Sequence, residues 1–224
     1  NKKKFIKYPF ENELSKLNKN DLKYCLDNFL DNPYNNYIPK NMYQFFLKTF
    51  GKGISELYLI PYNEKIWKFN PNFLDTQMVE RIPQPPIKDI IKSSKGIKTE
   101  GYKHQLNFYY PKNNGIQSLF EAYKKQLNQK VKFFKKIKIK KIKLSKTKHK
   151  ILFNNKSLET DLTISTIPLN ELSKLVTKKN EIVETSKKLL FNSIKIVMIK
   201  VKGNIAGNNF AFMIADKDII FHRI

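Results

Sequence analysis

The chain has 224 residues, of which 43 are Lys or Arg and 19 are Asp or Glu, so its formal net charge is +24. Hydrophobic residues make up 41% and aromatic residues 13%, enough to bury a core in one large domain or two small ones, which excludes intrinsic disorder. The only cysteine, Cys25, excludes an internal disulfide and a zinc cluster, and a reducing cytoplasm is the expected compartment.

The positive charge comes almost entirely from lysine, because Arg81 and Arg223 are the only arginines. Clustered cations favour nucleic acid, since binding to phosphate releases condensed counterions. Base-edge readout and bidentate phosphate contacts, however, favour the planar guanidinium of arginine. The 24 asparagines indicate a general drift of composition toward Lys, Asn and Ile. Composition therefore favours drift over a specific nucleic-acid site.

Helical spacing marks the first quarter of the chain. The apolar residues of 20–30 fall on one stripe, with Asn20 or Asp21 as a cap, which predicts an amphipathic helix. A second helix is predicted over 42–50, ended by Gly51. A third is predicted to begin near residue 54 and to end before Pro61.

Prolines and a second helical pattern mark the middle of the chain. Four prolines within 71–86 predict an extended surface connection. Residues 115–127 again show helical spacing, behind Asn113 or Asn114 as a cap, and predict a helix. No window has the roughly 18 apolar residues of a membrane span.

Strands dominate the rest of the chain. Residues 131–150 contain ten lysines and no acidic residue, yet their apolar residues recur at nearly regular intervals. This pattern predicts a β-hairpin with a solvated lysine face. Helices followed by a sheet predict an α+β fold rather than a parallel doubly wound sheet. The remaining predicted elements are strands at 150–153, 161–167 before Pro168, 194–201, 210–214 and 219–222, and a helix at 180–191.

Common catalytic and nucleotide-binding motifs are missing from the sequence, which has no GxGxxG, GxxxxGK[ST], HExxH, CxxC or GxSxG. His104, His149 and His222 lie in unrelated contexts, so structural roles are predicted for them and no metal site is expected. Residues 58–67 are unusually rich in aromatic side chains, because they contain two tyrosines and the only tryptophan, together with a lysine. Such a cluster is either part of the core or a surface for a ligand.

Six segments of the chain can be compared with known families: YPFENELSKL (8–17), FGKGISELYLIPYNEKIW (50–67), ERI (80–82), NFYYPKNNGIQSLFEAYKKQL (107–127), DLTISTIPLNEL (161–172) and FHRI (221–224). No one of these motifs is specific, but together, in this order, they cover nearly the whole chain. In that order they resemble the FAD-dependent amine oxidase superfamily, in particular protoporphyrinogen-oxidase-like and UDP-galactopyranose-mutase-like flavoproteins.

The resemblance implies an architecture and a cofactor. Residues 1–110 would form a helical cap or substrate domain, residues 111–170 a β-rich lobe of the FAD-binding domain, and residues 171–224 a substrate-domain helix and strands, with a mixed or antiparallel sheet. FAD would be the cofactor, with Lys138 and Ile139 near its adenine and Thr166 and Pro168 toward the flavin. The implied substrate-binding residues are Tyr62, Lys65, Trp67, Arg81, Tyr110 and Arg223.

The resemblance also implies that part of the flavoprotein is missing. The GxGxxG phosphate loop of this superfamily precedes the segment at Tyr8, and a flavin-contacting segment follows FHRI. We therefore expect a central fragment that is inactive alone and does not hold FAD tightly. The complete protein is expected to act on a nucleotide sugar or another anionic or isoprenoid compound. The alternatives are a basic nucleic-acid-binding module without catalytic activity and a stand-alone scaffold domain.

Overall fold

The computed structural model describes residues 5–80, 82, 84–99, 109–127, 130–203, 207 and 211–224. The chain divides into two compact units, which we call the helical unit, Asn1–Phe108 with Ile194–Ile224, and the sheet unit, Tyr109–Ser193. The predicted domain boundaries at 110 and 170 remain predictions.

Side-chain caps start the first two helices of the helical unit. The N–H of Asp21 donates to Asn18 Oδ1, and the N–H of Gln44 donates to Asn41 Oδ1, each over 2.9 Å. Each bond satisfies an N–H that has no partner inside its helix. The predicted caps at positions 20 and 21 are wrong, because the helix begins one residue earlier. The described α-helices of this unit are α1 (Lys19–Leu30), α2 (Met42–Ile54), α3 (Ile60–Trp67) and α4 (Ile87–Ser94).

The second helix does not end at Gly51, as its sequence predicts. Gly51 has φ 71° and ψ 170°, a kink within α2, and the chain continues through a π-helical segment, Ser55–Leu59, into α3. Pro61 lies in the first turn of α3, directly after the π-helical segment, and the chain stays helical through it. The predicted helix end before Pro61 is therefore also wrong.

The core of the helical unit lies between α1, α2 and α4. Phe46, Ile54 and Ile90 are almost completely buried there. The proline-rich connection holds two short 3-10 helices, Pro71–Phe73 and Thr76–Met78, and leads into α4, which the sequence analysis did not predict. The buried cluster consists of Phe10, Leu14, Cys25, Phe29, Met42, Phe45, Phe46, Phe50, Ile54, Val79 and Ile90.

A buried hydrogen bond ties α4 to the 3-10 helix Phe10–Lys16. The N–H of Leu14 donates to Ser93 Oγ over 2.8 Å, and both residues are buried. Ser93→Ala is expected to lower the free energy of unfolding by about 1–3 kcal/mol, because it leaves a buried N–H without an acceptor. Urea unfolding measures the loss. Ser94→Ala is the matched control, since that hydroxyl bonds only within α4, to the carbonyl of Ile91. Equal losses in the two variants would contradict the prediction.

The sheet unit combines three helices with an antiparallel sheet of three strands in the order β1-β2-β3, so the predicted α+β class is confirmed. Ile142 and Phe153 are buried in the sheet, and α6 packs against β1. The hydroxyls of Ser173 and Ser186 lie 2.7 Å apart and join α6 to α7. The described elements are α5 (Gln117–Leu127), β1 (Ile139–Lys143), β2 (His149–Phe153), β3 (Lys156–Thr160), α6 (Leu169–Val176) and α7 (Asn180–Lys187).

The predicted lysine hairpin is confirmed with shifted bounds: β1 lies within 131–150, and its partner β2 contains the strand predicted separately over 150–153. The strand predicted next, over 161–167, is misplaced. Asn154 takes a left-handed conformation, φ 49°, in a two-residue turn, so β3 starts directly at Lys156. Residues 161–167 form no strand. Apolar content suggested a strand there, whereas β3 is mostly polar and exposed.

The predicted elements after α6 are shorter than their patterns suggest. The helix predicted over 180–191 ends at Lys187, and no strand forms over 194–201, where the apolar side chains are exposed. The two predicted C-terminal strands reduce to an antiparallel bridge between Met213 and Arg223, while residue 210 lies outside the described residues. None of the helices in the described part of the chain combines the length and apolarity that a bilayer crossing requires.

Candidate functional site

Helix α3 and residues 211–224 hold most of the predicted substrate-binding residues that the structure describes. Backbone hydrogen bonds between Phe212 and Ile224 and between Ile214 and His222 close this C-terminal segment into a loop. Lys217 Nζ donates to Glu64 Oε2 over 2.8 Å, which joins the loop to α3. We call these two segments together the α3 wall.

Lys65 is the buried cation of the α3 wall. The residue is only 7% exposed, and its Nζ donates to the backbone carbonyl of Asp216 over 2.6 Å. Burial lowers the pKa of Lys65; the negative charge of Asp216 opposes this shift, and the positive charge of Lys68 adds to it. The ammonium is therefore held on one side by a carbonyl and remains poorly solvated.

Tyr62 ends a stack of three aromatic rings. Its ring centroid lies 5.3 Å from that of Tyr58, and Tyr58 lies 4.9 Å from Phe10, with nearly parallel planes in both pairs. Burial raises the pKa of Tyr62, while the charge of Arg223 acts in the opposite direction. The guanidinium of Arg223 therefore lies near the phenol of Tyr62, although the two residues are far apart in sequence. The phenol stays protonated at neutral pH and can donate a hydrogen bond.

A small hollow opens beside Lys65. Its volume is about 230 Å³, and its walls are Glu64, Lys65, Lys68 and Lys217. Lys68 ends α3 in a left-handed conformation, φ 53°. Three ammonium groups and one carboxylate make the hollow positive on balance, so it suits an anionic group.

Trp67 contributes to the core rather than to the open side of the wall. Its indole N–H donates to Asn63 Oδ1 over 3.2 Å, and its ring packs against the buried cluster. Of the other predicted substrate-binding residues, Arg81 lies outside the described residues. Tyr110 belongs to the sheet unit, where its hydroxyl accepts a hydrogen bond from the N–H of Ile116 over 3.3 Å.

The predicted FAD-contacting residues all belong to the sheet unit. The N–H of Lys138 donates to Asn154 Oδ1 over 3.3 Å, and its carbonyl accepts from the N–H of Asn154 over 3.2 Å. Ile139 pairs with Phe153 across the hairpin. The Lys138 carbonyl keeps a second lone pair for a ligand, and its N–H is already used.

Thr166 and Pro168 are exposed, and Pro168 immediately precedes α6. The Thr166 hydroxyl and the Lys138 carbonyl are the hydrogen-bonding groups that these residues offer. None of them supplies the series of N–H groups that holds a pyrophosphate at a helix N-terminus.

Sequence reasoning missed the partners of the predicted residues. The carbonyl of Asp216 accepts a hydrogen bond from the Lys65 ammonium, and Asn154 Oδ1 accepts one from the backbone N–H of Lys138. A backbone carbonyl leaves no trace in a side-chain pattern, so only the fold can reveal the first contact. Within the described ranges, no group of three or more His, Cys, Asp or Glu side chains could hold a metal ion.

No known protein-family model matches the sequence. Among solved structures, the chain is similar to a crystal structure of reduced UDP-galactopyranose mutase, with a TM-score of 0.70 and 25% sequence identity. The likeness covers 83% of this chain and 42% of the other. The fold is flavoprotein-like. The chain spans less than half the length of that mutase, and the amine oxidase and protoporphyrinogen oxidase resemblances remain predictions.

Proposed function

We propose that this chain is the central part of an FAD-dependent protein of the amine oxidase superfamily, in which the α3 wall lines the pocket for an anionic substrate. The structural likeness to UDP-galactopyranose mutase over 83% of the chain carries this proposal. The proposal also places the protein in the cytoplasm, because the buried Cys25 is a free thiol.

The charges of the α3 wall favour an anion over a neutral isoprenoid. Arg223 offers a planar fork of donors that matches a phosphate or carboxylate, and the neighbouring Tyr62 phenol adds a donor. Lys65, Lys68 and Lys217, on the same helix and loop, line one hollow. A nucleotide sugar, with its two linked phosphates, is the substrate class that best matches this arrangement.

FAD would supply the redox chemistry when bound in the complete protein. The sheet unit would contribute the Lys138 carbonyl, Thr166 and Pro168 as a wall beside the cofactor. The chain contains no GxGxxG sequence, so we assign the pyrophosphate grip to residues outside it. Within this proposal the chain alone binds FAD weakly and turns over no substrate.

Arg223→Lys is expected to raise the Kd for UDP at least about tenfold, because lysine keeps the charge but loses the bidentate fork. The experiment uses the product of the longest reading frame that contains this chain, purified with its flavin, and measures UDP binding by calorimetry. Flavin content, measured by absorbance, should not change in the variant.

Lys200→Gln is the control, because it removes a charge at an exposed position outside the α3 wall. Its Kd for UDP should stay within about twofold of the unaltered protein. A longer product that carries no flavin would overturn the cofactor proposal. An Arg223→Lys variant that binds UDP normally would overturn the assigned substrate site.

A further inference from the structure

One face of the three-stranded sheet forms a hollow that the proposed flavin function does not use. Its volume is about 440 Å³. The hollow lies wholly within the sheet unit, so it does not involve the α3 wall. Its lining consists of Lys140, Lys141, Lys150, Leu152, Asn154, Asn155, Lys156 and Ser157.

Strand register explains why Lys141 and Lys150 share this face. Lys141 lies opposite Leu152, and Leu152 lies opposite Ser157, so these side chains point to one side of the sheet. Ile142, the next residue of β1, is buried on the other side. The pairing shifts between residues 139 and 141, and this irregularity places Lys140 in the hollow as well, where Nζ lies 3.4 Å from Asn155 Oδ1.

Negative side chains do not line the hollow. Lys140, Lys141 and Lys156 form no salt bridge with any carboxylate in the described ranges. Lys150 Nζ lies 3.2 Å from Glu159 Oε1, but both side chains are about half exposed. Such a pair on the surface leaves most of the lysine charge available to a ligand.

The polar groups between the lysines add directed hydrogen bonds. Asn154, Asn155 and Ser157 carry amide and hydroxyl donors. Lysine binds phosphate as a point charge and does not need the paired geometry of arginine. The near absence of arginine, which argues against base-edge readout, is therefore no obstacle to binding a phosphate chain.

We propose that this hollow, which we call the lysine hollow, binds a compact polyphosphate, either inorganic triphosphate or the triphosphate group of a nucleotide. Four ammonium groups held close together repel each other, and a ligand with several negative charges relieves that repulsion. A volume of about 440 Å³ suits a small molecule rather than a long polymer. Leu152 adds an apolar surface to the lining, on which a nucleotide base can lie.

The test titrates the 224-residue chain with sodium triphosphate and with ATP by calorimetry, comparing two double variants of equal charge. Lys141→Gln with Lys150→Gln removes two lining lysines. Lys146→Gln with Lys148→Gln removes two exposed lysines of the same hairpin that do not line the hollow. The first variant should raise Kd at least about tenfold and the second less than about twofold.

Thermal unfolding checks that both variants keep the fold, since all four positions are solvent-accessible. Equal affinity for the two ligands supports the inorganic source, and tighter binding of ATP supports the nucleotide. Equal losses in both variants would show that net charge alone attracts the ligand and would overturn the proposal. It is also overturned if neither ligand binds while a single-stranded DNA oligonucleotide does, because the face would then hold a polymer.

Discussion

Gly53→Ala is expected to lower the free energy of unfolding by about 3 kcal/mol, at the upper end of the usual range for overpacking. A Cβ at this position would lie 2.5 Å from the carbonyl oxygen of Tyr24 and 2.6 Å from the Cα of Cys25. Both atoms belong to the backbone of α1, so no side-chain rotation can relieve the clash. The two helices would have to move apart and open the core between them.

Urea unfolding followed by circular dichroism measures this loss. Lys52→Ala is the matched control, because residue 52 lies between Gly51 and Gly53 on the exposed side of α2. Its ion pair with Glu56 is long, 3.9 Å, and its loss should change stability by less than about 0.5 kcal/mol. If Gly53→Ala were as mild as Lys52→Ala, the close packing of α1 on α2 would be wrong.

The free energy of unfolding should fall above pH 9, and between pH 9 and pH 10 the group responsible is Cys25. Burial raises the pKa of this thiol from 9.0 to about 12 in the folded chain. Between these values the unfolded chain loses the thiol proton while the folded chain keeps it, so unfolding becomes easier as pH rises. The first unit, between pH 9 and pH 10, removes about 1 kcal/mol, and the slope then approaches about 1.4 kcal/mol per unit. Burial also raises the pKa of Tyr24, to about 12, and the pKa values of Tyr58 and Tyr62, so these tyrosines add to the loss above pH 10.

Urea unfolding at several values between pH 8 and pH 11 measures this slope. Cys25→Ala should flatten the slope between pH 9 and pH 10 by about 1 kcal/mol per unit, even though the small cavity lowers stability at neutral pH. A disulfide reagent should leave the thiol unreacted at pH 8 in the folded chain and modify it in urea. Parallel slopes for the two proteins would refute the assignment to Cys25.

Much of the fold follows from local sequence. The periodicity of residues 20–30 and 115–127 predicted α1 and α5, because an amphipathic stripe depends only on neighbours within a few turns. The alternating lysine-rich stretch predicted the hairpin for the same reason. The predictions were wrong where one residue type can play two structural roles: Gly51 bends α2 instead of ending it, and Pro61 lies in the first turn of α3.

The candidate site was predictable only in part. The cluster at 58–67 and the ordered resemblance drew attention to Tyr62 and Lys65, and Arg223 stood out as a rare arginine. Their arrangement was not predictable, because α3 and the C-terminal loop are separated by most of the chain. The carbonyl that receives Lys65 could belong to any residue type.

The sequence alone therefore determined where α1, α5 and the lysine hairpin form, that the class is α+β, and that the chain resembles flavoproteins. These properties depend on contacts between near neighbours, on apolar periodicity and on ordered segments. Only the tertiary structure decided that two glycines bring α1 against α2, that Arg223 lies by Tyr62, and that four lysines line one hollow. Each of these depends on distances between residues far apart in the chain, which packing and strand register set.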